Sequence, residues 1–157
     1  MSPLQPSGID VSTLLPYRWP QVENAITNGE YLFIVEGEPC ADALAELGLH
    51  AISFCGGSNS PHHQACVDLL KPYAEQLVIC PDRDKAGLEY AQAIAADYLG
   101  AKWCYPYPDS FLWERPPKSS GADIADWIEE GATADIILTN VGDCRLSHCL
   151  AKKTTPK

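Results

Sequence analysis

Four short, largely apolar runs alternate with stretches of helical period, and this alternation constrains the chain more than any other feature. The runs fall at residues 31–35, 51–55, 77–80 and 101–105. Strands this short and this largely apolar, with only Ser53 and Lys102 polar, are expected where both faces of a sheet are covered. Between them, residues 42–47 put Leu44 and Leu47 on one face and stop at Gly48, a ready helix terminator. Residues 61–73 carry Cys66, Leu69, Leu70 and Tyr73 at helical spacing, with Asn59 or Ser60 placed to cap them. Residues 85–99 repeat the pattern with Leu88, Ala91, Ile94, Ala95, Tyr98 and Leu99, and Gly100 follows. The alternation predicts an α/β fold: a parallel sheet of about four strands with helices on both faces and right-handed crossovers.

The flanks are less regular. Residues 1–20, rich in Pro and Ser, read as an arm or linker, and residues 21–29 as a short helix closed by Asn28-Gly29. Residues 106–121 contain Pro108, Pro116 and Pro117 and read as a long loop, a kind of segment that often carries function. Short helices are expected over 123–130, with Trp127 turned inward, and over 133–138; residues 141–157 read as a frayed, disordered tail. At 157 residues the chain fits one domain, expected over 21–140.

No apolar run approaches the length needed to span a bilayer, and the first residues lack the basic and apolar segments of a signal peptide. A soluble, cytoplasmic protein is expected. The seven cysteines include no CxxC pair, and Cys144, His148 and Cys149 lack a second ligand pair. Buried free thiols therefore fit better than structural zinc. The net charge of −10 argues against a domain that grips a phosphate backbone unaided. It leaves room for a catalytic module that meets phosphates through bound metal ions.

Two of the apolar runs end directly in acids. One proceeds from Phe33-Ile34-Val35 into Glu36-Gly37-Glu38, the other from Val78-Ile79-Cys80-Pro81 into Asp82-Arg83-Asp84. In open parallel sheets, ligands collect outside the carboxyl ends of the strands, where strand order reverses. If these strands are neighbours, Glu36, Asp82 and Asp84 converge. Crowded carboxylates need a compensating cation, and a hard oxygen set suits Mg2+ (or Mn2+) better than zinc. The alternatives stay open for each residue: Asp84 as a helix cap, Asp82 as a turn residue, Glu36 as a solvated acid.

The motif Val35-Glu36-Gly37-Glu38-Pro39-Cys40-Ala41-Asp42-Ala43-Leu44 resembles the first motif of the Toprim domain, the fold shared by topoisomerases and primases. Cys80-Pro81-Asp82-Arg83-Asp84-Lys85-Ala86-Gly87 resembles the second, in its primase form. Gly121-Ala122-Asp123-Ile124-Ala125-Asp126-Trp127-Ile128 and the lead-in Leu15-Pro16-Tyr17-Arg18-Trp19-Pro20 are similar to segments of plasmid and prophage primase-helicases. The resemblance implies Glu36 as general acid/base or metal ligand, Asp82 and Asp84 as metal ligands, and Asp123 and Asp126 as outer carboxylates. It implies Mg2+ as cofactor. The chain departs from the pattern at Pro39, where many relatives have Lys.

Around these acids, Gly37 allows close approach, Gly56 and Gly57 open a helix and could cradle phosphate, and Arg83 and Lys85 could hold phosphate or nucleic acid. Trp103, Trp113 and Trp127 fit core or loop anchoring better than base stacking. The reading these features favour is a Mg2+-dependent Toprim module of a primase-like replication protein. Its partners would be single-stranded DNA, nucleotides and a helicase or basic primase subdomain, since neither a P-loop nor a basic subdomain is seen in the sequence. A small metal-dependent nuclease and a non-enzymatic nucleotide- or partner-binding module are the alternatives.

Overall fold

A computed structural model describes residues 17–54 and 61–143, with the backbone alone for residues 61–65. Gly56 and Gly57, most of the expected arm and most of the expected tail lie outside the described residues. The four apolar runs form strands β1 (Leu32–Val35), β2 (His50–Ser53), β3 (Leu77–Ile79) and β4 (Lys102–Trp103). They make one sheet in the order β2-β1-β3-β4, and all three pairings are parallel. Phe33 stands beside Ala51 on one side and Val78 on the other. The parallel α/β sheet is thus as the alternation predicts. Each strand is shorter than its apolar run, although the ladder continues slightly: Cys80 N–H donates to Ile34 O and Cys104 N–H to Ile79 O, both at 3.0 Å.

Successive side chains along β1 and β3 go to opposite faces, as the strand period of two requires. Leu32, Ile34, Leu77 and Ile79 enter one buried cluster, and Phe33, Val35 and Val78 enter the other. The first cluster is covered by helices α1 (Pro20–Asn28), α3 (Pro61–Leu70) and α4 (Lys85–Ala96), through Val22, Leu70 and Ile94 among others. The second is covered by α2 (Glu38–Glu46), α5 (Ile124–Glu129) and α6 (Ala134–Thr139), through Leu44, Ile124 and Ile137. Burial on both faces explains why the strands carry no polar alternation.

Two helix boundaries differ from the pattern and have a physical reason. Helix α2 starts at Glu38, ahead of its apolar face, because Gly37 is extended at the N-cap and Pro39 fits the first turn, where a missing N–H costs nothing. The single helix expected over 61–73 breaks instead at Leu70 and continues as a 3-10 segment, Lys71–Gln76. Pro72 cannot donate to the preceding turn, and its ring crowds the carbonyl four residues back.

Tyr17, Arg18 and Trp19, within the stretch expected to be an arm, pack on the domain. Tyr17 bridges Ser53 in an antiparallel contact, Trp19 is buried, and Asp42 accepts from Tyr17 Oη at 2.8 Å and Arg18 Nε at 2.9 Å. No helix among the described residues is long and apolar enough to cross a membrane.

The strand order has one functional consequence. From β1 the chain moves outward to β2, then returns past β1 to β3 and moves the other way to β4. Strand order therefore reverses between β1 and β3, and the crevice at their carboxyl ends is where a ligand finds the least backbone in its way.

Candidate metal centre

Glu36 leaves β1 and Asp82 follows β3, so both acids stand at that crevice. The Ser53 hydroxyl donates to Glu36 O at 3.0 Å and fixes the backbone where β1 ends. The Glu36 and Asp82 carboxyl groups stand close enough to interact directly. Burial pushes the Asp82 carboxyl up to about 8; the neighbouring Glu36 carboxyl adds to the shift, and Asp123 and Asp84 contribute less. A carboxyl held protonated this far above its usual range marks a place where negative charge lacks compensation.

The loop carrying Asp82 is held from below by its neighbour. Asp84 is only 4% exposed, and both of its oxygens are engaged. Oδ1 accepts from Gly87 N–H at 2.6 Å, capping α4, and Oδ2 accepts from Gly121 N–H at 2.8 Å. Three further bonds dock the long loop onto this turn: Arg83 N–H to Ala122 O at 2.8 Å, Lys85 N–H to Pro117 O at 2.7 Å and Ala86 N–H to Lys118 O at 3.1 Å. Two glycines make the docking possible. A Cβ on Gly87 would sit 2.6 Å from Asp82 O, and one on Gly121 would sit 2.1 Å from Arg83 O. No side chain fits at either place.

The docked loop delivers Asp123 to the site. Asp123 is the N-cap of α5 and forms a reciprocal capping box with Asp126: Asp126 N–H donates to Asp123 Oδ1 at 2.9 Å, and Asp123 N–H donates to Asp126 Oδ2 at 3.0 Å. Asp126 is exposed and orients Asp123 rather than joining the crowded group. The third member of that group is Cys40, in the first turn of α2. A Cys40 sulfur and one carboxylate oxygen each from Asp82 and Asp123 all lie within 4.8 Å of one another. Burial, and then the negative charges of Asp123 and Asp82, push the Cys40 thiol up to about 12, although the Ala125 N–H opposes them. Sequence patterns treat Cys40 as one more buried thiol. Its position one helical turn after Glu36 was the available signal.

The remaining expected contacts are spread more widely. Gly37 caps α2, and a Cβ there would meet only Pro39 Cδ, at 3.6 Å. The Arg83 guanidinium lies 4.8 Å over the Tyr107 ring, and its Nε has no hydrogen-bond acceptor among the described residues. The Lys85 side chain is exposed at the start of α4. Trp113 is a loop anchor: its indole N–H donates to Pro106 O at 2.9 Å and Tyr107 O at 3.1 Å. Trp103 is buried against Tyr105, and Trp127 leans on Tyr107. Two surface clefts, of about 310 and 350 Å3, surround His50 and Leu49 at the amino ends of β1 and β2, the opposite edge from the acids.

The donor set fits a divalent cation. Asp82 and Asp123 offer hard oxygens within 4.8 Å of one another and of the Cys40 sulfur, Glu36 stands against Asp82, and a bound cation would relieve the repulsion these acids exert on Asp82. Residues 33–110 match the model of a family described as Toprim-like. The matched stretch holds β1 from Phe33 onward, Glu36, Cys40, β3, Asp82 and Asp84, while Asp123 lies beyond it. A comparison with curated proteins found no match.

Proposed function

Because this chain carries a Toprim-like domain, we propose that it is a Mg2+-dependent module of the DNA primase type, acting in nucleotidyl transfer on single-stranded DNA. The observation that supports this reading is the placement of Glu36 and Asp82 at the carboxyl ends of adjacent parallel strands, with Asp123 beside Asp82. In this reading Glu36, Asp82 and Asp123 hold the ion. Asp84 shapes the loop through its two amide bonds, and Asp126 orients Asp123. When bound, the ion supplies charge neutralisation and polarisation at a phosphoryl group.

Glu36 is the exposed member of the trio and therefore the one that can also take or deliver a proton at a substrate hydroxyl. Arg83, whose guanidinium lies over Tyr107, and Lys85 are the cations nearest in sequence to the acids and would meet substrate phosphates. With a net charge of −10, the chain relies on partners for its grip on nucleic acid, and a helicase or a basic primase subdomain fits that role.

The test is incubation with a single-stranded template, labelled nucleotides and Mg2+ or Mn2+. Extension products that vanish in Glu36→Gln and Asp82→Asn are expected. Template cleavage in place of extension would reassign the same site to phosphodiester hydrolysis. Any product that survives both substitutions would remove the site from the chemistry.

A further inference from the structure

The ligand-type atoms nearest one another at this site include a sulfur. Cys40 is 3% exposed, and its thiol sits with the Asp82 and Asp123 oxygens in a group spanning no more than 4.8 Å. Cys80 and Cys104 are buried in the same core cluster as Cys40. All of these thiols are free.

Resting on the metal-site reading above, we propose that Cys40 makes this centre selective between ion classes: hard ions bind through oxygens alone, whereas thiophilic ions bind through Cys40 sulfur as well as Asp82 and Asp123. The chemistry follows from softness. Mg2+ prefers oxygen and water and leaves the thiol unused. Zn2+, Cd2+ and Co2+ bind thiolate well, so each displaces the thiol proton to solvent and forms a metal–sulfur bond. A serine at position 40 would offer only oxygen. The fold places the softer atom where a tightly bound ion would exclude Mg2+, so Zn2+ or Cd2+ acts here as a competitor of Mg2+ for the same carboxylates.

The experiment uses the full chain and Co2+ as probe. A sulfur-to-cobalt charge-transfer band is expected in the near ultraviolet. It should be lost in Cys40→Ser and Cys40→Ala and retained in Cys66→Ser, whose thiol lies in the other core cluster. Cd2+ affinity should fall by at least about tenfold in the Cys40 variants, while Mn2+ affinity, followed by electron paramagnetic resonance, stays within about threefold. Cadmium-113 resonance on the unaltered protein reads sulfur ligation without any substitution, so a variant that misfolds does not shield the proposal. Mn2+ binding without a Co2+ charge-transfer band would overturn the role of Cys40 alone, as would a band that persists in the Cys40 variants. Failure to bind Mn2+ at all would overturn the metal-site reading as well.

Discussion

The carboxyl groups of Glu36 and Asp82 face one another at the carboxyl ends of two neighbouring parallel strands, close enough that the charge of Glu36 raises Asp82. Either a proton or a cation relieves this crowding, and the raised Asp82 carboxyl gives the protein a pH dependence of a particular sign.

The Asp82 carboxyl, pushed up to about 8 chiefly by burial, titrates near about 4 in an unfolded chain. Between those values the folded state keeps a proton that the unfolded state has lost. Stability without metal therefore falls as pH rises through this window, and below it the group contributes no slope. Because a cation takes the place of the proton, the rise in melting temperature on adding Mg2+ should be small at pH 5 and larger at pH 8. Asp82→Asn should flatten both the pH slope and the Mg2+ response. Thermal unfolding across pH, with and without Mg2+, checks each part.

Asp84 is expected to matter first for stability. Replacing it by Ala leaves the amides of Gly87 and Gly121 without their acceptor and removes a helix cap. A loss of about 2–4 kcal/mol should follow, read from urea unfolding. Asp84→Asn keeps only one acceptor oxygen and should fall between Ala and the unaltered protein. Loss of activity at this position is interpretable only beside that measurement.

Gly121→Ala would drive a methyl group into the Arg83 carbonyl, which has no side-chain freedom with which to yield. Destabilisation of about 1–3 kcal/mol is expected, together with weaker Mn2+ binding as Asp123 is carried away from Asp82. Gly142→Ala, where a Cβ meets nothing within 4 Å, is the control and should cost under about 0.5 kcal/mol.

At the other end of the pH range, hydrogen bonds from Tyr17 and then Arg18 hold the Asp42 carboxyl below its usual value. The contribution of Asp42 is present above the unfolded carboxyl range and is lost as pH falls through the lowered folded value. Tyr17→Phe should soften that acid-side decline in melting temperature while leaving the Asp82 slope intact.

The sheet was legible because strands buried on both faces must be largely apolar, and the two acid-ended runs could be recognised as partners of one crevice. The helix break at Pro72 and the early start of α2 at Gly37 depend on how proline sits in a turn, which apolar period does not register. Asp84 shows a deeper limit. A D-x-D pattern gives two equivalent acids, and only the docking of residues 117–122 reveals that one of them has its oxygens committed to Gly87 and Gly121. Cys40 was hidden for a similar reason: a thiol in an apolar helix looks like packing until the loop carrying Asp123 is folded against it.

In the proposed reading Glu36, Asp82 and Asp123 hold one divalent ion. A Mn2+-soaked crystal measured for anomalous scattering addresses it without reference to any activity. The expected result is a single strong peak within coordination distance of Glu36 and Asp82 oxygens, on the side facing Asp123. A crystal saturated with Mn2+ that shows no peak there, or shows its strongest peak elsewhere on the surface, would rule out a metal centre at these residues.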